Sequence, residues 1–451
     1  MEKLLLSEIA GALGASCPAE MEITEISTDT RNLPEGCLFV AIKGDRFDGH
    51  DFIPKAIESG AAAALSEKEI EGCPCVVVEN TRRAYLDLAA YYRRKFSPVL
   101  VGVTGSVGKT TTKEMIALVL SERFYCLKTK GNLNNEIGLP KTLFTMDSTH
   151  EAAVIEMGMS DFGEISRLSK TAAPTIGVIT NIGFSHIENL KTQEGILQAK
   201  LEILEGMAEN APLAVNGDDS HLAPLKDKLS SQRPVYLFGI DNENCDFRGT
   251  DIEETDGVTA FTVNYNGKSC KAEIPCAGRH NVLNALAAFC VGTIAGMSET
   301  EIVSALKKYQ PDGMRQNIVK KGGVTVIIDC YNASPDSMKA SLGVLAGMKT
   351  QGRKIAVLGD MLELGEASEK LHSLVGEYVH EANPDMLFCY GKDSEFISKK
   401  SGIDSEFTDN KQKLTESIRS YIKDGDVILF KASRGMKLEE VIDSLFGKEG
   451  E

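Results

Sequence analysis

Short apolar runs and longer amphipathic stretches alternate along almost the whole chain. Glu22-Ile23-Thr24-Glu25-Ile26-Ser27 alternates polar with apolar, and Cys37-Leu38-Phe39-Val40-Ala41-Ile42 is nearly all apolar. Both predict strands. Phe52 to Ser59 predicts a helix stopped by Gly60, and Arg82 to Lys95 a long polar helix ending near Ser97-Pro98. A proline disfavours helix in the residue before it, so Pro98 marks a first boundary.

The strand Val99–Val103 then runs into Thr104-Gly105-Ser106-Val107-Gly108-Lys109-Thr110-Thr111-Thr112 and a helix to about Ser121. Apolar strands end at Glu156 (from Ala152) and at Asn181 (from Ile176), and Gln193 to Met207 reads as one helix. Strands alternating with helices predict a mostly parallel, doubly wound sheet. Asp256-Gly257 and Asn266-Gly267 flank Val258–Val263 and predict a hairpin, an antiparallel edge on that sheet. Helices follow from about His280 to Val291 and from Glu299 to Lys308. Gln310-Pro311-Asp312-Gly313 is a second boundary. Beyond it, strands at Val324–Asp329, Lys354–Leu358, Met386–Tyr390 and Val427–Lys431 alternate with helices. Ser334-Pro335 is an N-cap followed by proline at the first helical position. The fold class is therefore α/β with three domains: residues 1–97, 98–310 and a Rossmann-like 311–451.

A length of 451 residues agrees with three domains at about 150 residues each. Lys plus Arg number 49 and Asp plus Glu 65, a net charge of −16, which argues against a nucleic-acid partner. An acidic total still allows anions to be held by a helix N-terminus or a lysine in a cleft. No apolar run has membrane-span length, and the start is too short and acidic for a signal peptide. Eleven scattered cysteines without metal spacing fit reduced thiols, so a cytoplasmic location is expected.

The strongest chemical signal is Gly105-Ser106-Val107-Gly108-Lys109-Thr110. Glycines let a backbone fold around phosphates, Lys109 reaches the outer phosphates, and the Thr110 hydroxyl suits Mg²⁺. Val103 stands where the strict phosphate-loop pattern has its first glycine. Glu156, at a strand end, is a second oxygen donor for Mg²⁺. His186 follows the Asn181 strand end, at the edge where doubly wound sheets bind ligands. Lys200 lies on a helix, where spacing alone reads as a solvated face. Asn281 and Asn284 share a helix face; they are either surface amides or readers of an adenine edge. Asp329 ends a strand, where an acid can hold ribose hydroxyls.

Together these residues resemble the Mur ligases, a family whose ATP loop also lacks the first glycine. Gly131-Asn132-Leu133-Asn134-Asn135-Glu136-Ile137-Gly138-Leu139-Pro140 resembles the substrate-contacting loop of the branch that adds D-Ala-D-Ala. Ile155-Glu156-Met157-Gly158, Gly278 to Ala288, Asp329 to Pro335 and Gly359 to Gly365 are similar to the same branch. Lys431-Ala432-Ser433-Arg434 resembles the family's Lys-Gly-Ser-Arg, with Ala432 replacing glycine, and Ile328 stands where many members have another Asp. Thr28-Asp29-Thr30-Arg31 and Gly44 to His50 resemble a UDP-sugar domain.

The resemblance implies an ATP-dependent ligase that joins D-Ala-D-Ala to UDP-MurNAc-tripeptide through an acyl phosphate, for peptidoglycan synthesis. Thr104, Gly105, Ser106, Val107, Gly108, Lys109, Thr110 and Thr111 would hold ATP, with Asn281, Asn284, Arg315, Asp329 and Tyr331. Thr110 and Glu156 would hold one Mg²⁺; His186 and a carbamylated Lys200 would serve a second. Lys109, His186, Lys200 and Arg315 would act in catalysis. Ser27, Asp29, Arg31, Asn132, Asn134 and Asn135 would contact the UDP substrate, and a monomer is expected. Two alternatives stay open. One is the preceding ligase of the family, which adds a single amino acid, although no Asp-Asn-Pro-Arg stretch is present. The other is a phosphate-loop NTPase without ligase chemistry; a GTPase would want Asn-Lys-x-Asp, and Asn410-Lys411 continues as Gln412-Lys413.

Overall fold

Strand Val99–Thr104 lies near the middle of a nine-stranded sheet, and the rest of the central region is arranged around it. The computed structural model describes residues 1–44, 47–255, 257–311 and 313–447. Four residues read from sequence lie outside them: Asp45 and Arg46 of the Gly44–His50 stretch, Asp256 of the hairpin turn and Asp312 of the second boundary.

Val99–Thr104 pairs in parallel with Ile176–Ile179 on one side and Ala152–Glu156 on the other. The chain leaves it through helix Lys109–Leu120, forms Cys126–Lys128 at the sheet edge, returns to Ala152–Glu156, and then crosses to Ile176–Ile179. Strand order thus reverses beside Val99–Thr104, the switch point at which open α/β sheets bind ligands. The predicted antiparallel edge is present as a three-strand meander, Phe247–Thr255, Val258–Tyr265 and Lys268–Ile274. Asn266 and Gly267, with φ of 47° and 71°, supply the positive dihedrals that a tight hairpin needs.

Residues 317–431 form a six-stranded sheet in which Val324–Ile328, Val427–Lys431, Lys354–Gly359, Met386–Tyr390 and Ser405–Thr408 run parallel. Asn317–Lys321 pairs antiparallel at its edge. Ser334 caps helix Pro335–Gly347 with a capping box, as its sequence predicts. Near the N-terminus, Ile26–Ser27, Leu38–Val40, Ala63–Ser66 and Cys75–Val77 make a small parallel sheet.

Two sequence expectations need correction. The alternating Glu22–Ser27 is not one strand: Glu22–Ile23 pairs with Leu4–Leu5, while Ile26–Ser27 joins the parallel sheet. Ile23 and Ile26 are three residues apart and would face opposite sides of one strand; both are buried because each belongs to a different sheet. The helix expected over Gln193–Met207 is α-helical only to Leu201 and tightens into a 3₁₀ turn over Glu202–Gly206. A Cβ on Gly206 would lie 2.1 Å from the Ser169 backbone, so this end packs directly on the neighbouring helix.

Candidate active site

The loop after Val99–Thr104 is pinned to the next strand end. Asn181 accepts from the backbone N–H of Ser106 through its carbonyl (3.0 Å) and from that of Val107 through its side chain (2.8 Å). Thr180 Oγ1 donates to the Val107 carbonyl at 2.6 Å. Gly105 and Gly108 have φ of 146° and 82°, and a Cβ on Gly105 would sit 1.9 Å from Thr180 Oγ1. Only glycine fits there. Lys109, at the helix N-terminus, donates to the carbonyls of Gly105 (2.7 Å) and Ser106 (3.1 Å) and to no anion. Burial lowers its ammonium below the usual lysine range, against the pull of Glu156, and nearby Arg315 lowers it further. Thr104 is buried beneath the loop, and its hydroxyl has no hydrogen-bond partner.

Glu156 is the junction of two loops. Its Oε2 accepts from Thr110 Oγ1 at 2.9 Å and its Oε1 from Asn134 Nδ2 at 2.8 Å. One buried carboxylate therefore joins the phosphate loop to the Asn132–Gly138 loop. Asn135 instead caps the following helix, accepting from Ile137 and Gly138 N–H.

A cavity of about 690 Å³ opens over this junction. Ser106 to Thr111, Asn132, Asn134, Asn135, Glu156, His186, Asn281, Asn284, Arg315, Asp329 and Tyr331 all line it. Thr104, Gly105 and Lys200 are not lining residues, nor are Ser27, Asp29 and Arg31. The last two pair with each other at 2.6 Å.

The expectation of a solvated Lys200 is corrected: it is 2% exposed, with no hydrogen-bond or ion-pair partner among the described residues. Burial and nearby Lys109 push its amine well below the usual range. Lys200 stands on the buried stripe of its helix with Ile196, Ala199 and Ile203, whereas Leu197 and Leu201 are only half-buried; the reading missed it because a charged side chain was taken as solvated. The amides of Asn281 and Asn284 are buried, not surface groups. Asn284 Oδ1 accepts from Thr112 Oγ1 (2.9 Å), and Asn281 Nδ2 donates to Gln316 Oε1 (2.6 Å) and to the Ala277 carbonyl (2.8 Å).

The six-stranded region closes the other wall. Arg315 lies 3.9 Å from the Tyr331 ring centroid, a cation–π contact. Asp329 accepts from Lys431 Nζ at 2.6 Å and from Ser341 Oγ at 2.5 Å. His186, in the left-handed region at φ 62°, pairs through Nδ1 with Glu363 at 2.9 Å. Glu363 is held below its ordinary value by that bond. Sequence reasoning assigned no role to Arg82, Asn181, Gln316, Glu363 or Lys431, all of which line the cavity. Asn181 and Lys431 were detectable as polar residues closing apolar strands, and Glu363 lies inside the family-like Gly359–Gly365 stretch without having been singled out; Gln316, in an irregular loop, carried no signal.

No group of three or more His, Cys, Asp or Glu gathers with metal-binding geometry among the described residues. Nor is any described helix long and apolar enough to cross a membrane.

Three family models match in chain order: "Mur ligase family, catalytic domain" over residues 22–99, "Mur ligase middle domain" over 103–292, and "Mur ligase, glutamate ligase domain" over 314–434. The UDP-N-acetylmuramoyl-tripeptide–D-alanyl-D-alanine ligase of Bacillus subtilis is 39% identical, over 98% of this chain and 97% of its own. The enzyme of that name from Escherichia coli is 36% identical over 99% of both. The crystal structure of MurF from Acinetobacter baumannii superposes with a TM-score of 0.93 at 30% identity, covering 99% of this chain and 100% of that one. MurF ligase from Thermotoga maritima in complex with ADP gives 0.85 at 32%, covering 93% and 96%. Three consecutive family models and relatives matched over nearly their full length agree, and the chain belongs to the Mur ligase family.

Proposed function

We propose that this protein is the ATP-dependent ligase that joins D-alanyl-D-alanine to UDP-N-acetylmuramoyl-tripeptide, forming the pentapeptide precursor of peptidoglycan. The observation that carries the reading is the Glu156 carboxylate, shared by the phosphate loop and the Asn132–Gly138 loop at the floor of one cavity. A nucleotide on the first loop and an acyl substrate on the second would meet there. Residues 1–97 would bind the UDP-sugar, with Ser27, Asp29 and Arg31 outside the cavity on that unit, 98–310 would bind ATP, and 311–451 would close the site.

The chemistry has two steps. The terminal carboxylate of the tripeptide attacks the γ-phosphorus of ATP, giving an acyl phosphate and ADP. The free amine of D-Ala-D-Ala then attacks the acyl carbonyl; the tetrahedral adduct expels phosphate and leaves an amide. The first step brings two anions together, so cations must offset their repulsion. Lys109 would turn from its own loop carbonyls to the phosphates, and Arg315, fixed on Tyr331, would face the γ-phosphate. Asn281, Asn284 and Asp329 would orient the nucleoside.

The donor set also fits Mg²⁺. Thr110 Oγ1 and Glu156 Oε2 converge as hard oxygens, and a site with few protein ligands suits an ion that keeps phosphates and waters in its shell. Mg²⁺ bound there would neutralise charge on the transferring phosphoryl group. For a second ion we assign His186 and Lys200. The Lys200 amine is buried, unpaired and disfavoured as a cation; addition to CO₂ with loss of a proton would make it a carbamate, an anion beside Lys109. We propose further that the enzyme acts as a monomer and in the cytoplasm, where ATP is supplied. Mass-spectrometric detection of the pentapeptide, formed only when ATP, tripeptide substrate and D-Ala-D-Ala are all present, tests the reading; its absence contradicts it.

A further inference from the structure

We infer that Lys113 is a positioning residue, whose buried side chain holds the Glu156 carboxylate oriented between the two loops. Lys113 lies one helical turn beyond Lys109, and its side chain is fully buried. The mechanism above does not use it. Its Nζ donates to the Thr129 carbonyl at 2.8 Å and pairs with Glu114 at 2.9 Å and Glu156 Oε2 at 3.8 Å. Thr129 Oγ1, in turn, accepts from the Glu156 backbone N–H at 3.0 Å. Lys113 and Glu156 therefore grip Thr129 from its two ends, just before the Asn132–Gly138 loop departs.

A lysine taken wholly out of water is costly unless anions compensate it. Packing alone would be met by an apolar side chain of similar length. Glu114 is already paired on its outer side with Lys128, so it does not by itself demand a second, buried cation. Glu156 is 2% exposed and has no other cation within ion-pair distance among the described residues. Without Lys113, nothing on that side would hold the buried carboxylate, and turning away from Thr110 would remove a hard anionic ligand from the loop. Outer-shell partners of this kind typically change metal affinity by about 10- to 100-fold.

This inference rests on the reading of Glu156 as a Mg²⁺ anchor, and the test separates the two. ADP affinity is measured by titration calorimetry with saturating Mg²⁺ and with EDTA, and the ratio gives the metal's contribution. Unfolding of each nucleotide-free variant is followed alongside. Lys113→Met and Lys113→Gln should lose about 10- to 100-fold of that contribution, while Lys113→Arg keeps most of it. Glu114→Gln, which removes the ammonium's other partner, should leave it unchanged. Gln retains a donor without charge, so if Lys113→Met does not fold, the comparison of Gln with Arg decides. Equal metal contributions in wild type, Lys113→Gln and Lys113→Arg, with a loss in Glu156→Gln, overturn the role of Lys113. A full metal contribution in Glu156→Gln overturns the reading of Glu156 itself, and the inference with it.

Discussion

Replacing Gly105 with alanine should disable the phosphate loop, and the structure sets the size of the effect. The new Cβ would lie 1.9 Å from Thr180 Oγ1 and 3.0 Å from both Thr180 Cβ and its backbone nitrogen. The backbone nitrogen belongs to a buried strand end and cannot move aside, so the side chain must rotate or the loop must shift. Rotation breaks the 2.6 Å bond from Thr180 to the Val107 carbonyl, worth about 1 kcal/mol. A φ of 146° in an essentially glycine-only region adds about 1–3 kcal/mol. The total of about 2–4 kcal/mol corresponds to about 30- to 700-fold, at 1.4 kcal/mol per tenfold. If the loop keeps its shape, the cost falls on folding stability; if it yields, it falls on nucleotide affinity. Urea unfolding and ADP calorimetry read the two shares. In a Thr180→Ala background, which has already lost the bond to the Val107 carbonyl, Gly105→Ala should cost only the dihedral part. Unchanged unfolding together with unchanged ADP affinity in Gly105→Ala would refute this account of the loop.

Further outcomes follow from the same site. Lys109→Ala should retain the fold, because its Nζ bonds only its own loop, yet lower phosphate release by at least about 10²–10³-fold; near-normal turnover would contradict its role. Asn281→Ala should raise KM for ATP more than it lowers kcat, because contact with the base is equal in ground and transition states. Lys200→Ala should lose activity and regain part of it with an added short-chain carboxylic acid, whereas full activity without rescue would remove the carbamate. Burial first, and nearby Lys109 second, hold the folded-state amine of Lys200 well below the usual lysine range, which favours the neutral form that adds CO₂. As pH falls through the depressed value the ammonium returns, and the CO₂ dependence of activity should be lost on the acid side.

The doubly wound centre was legible because its strands are short apolar runs closed by polar residues. Glu156 and Asn181 both announce themselves this way, and both prove to hold the loop. Gly105 was legible as a phosphate-loop glycine, but the contact with Thr180 that requires it was not, since strand adjacency is not written in local pattern. Ile23 and Ile26 read as parts of one strand, although they belong to different sheets. Lys200 was missed on residue type rather than on period: it keeps the helical spacing of the buried Ile196, Ala199 and Ile203, but a charged side chain on a helix reads as solvated. Lys113, on the helix after the phosphate loop, was not singled out in the sequence either, and it too proves buried. Gln316 and Glu363 sit in loops between the second and third sheets, where position is set by packing between regions rather than by neighbours in the chain.

The central claim is that the second amine is a dipeptide. Phosphate release should be measured with ATP, Mg²⁺ and UDP-MurNAc-tripeptide, supplying D-Ala-D-Ala in one arm and single amino acids in the others. The account predicts sustained release and pentapeptide formation only with D-Ala-D-Ala; equal release with a single amino acid, and no preference for the dipeptide, would contradict it.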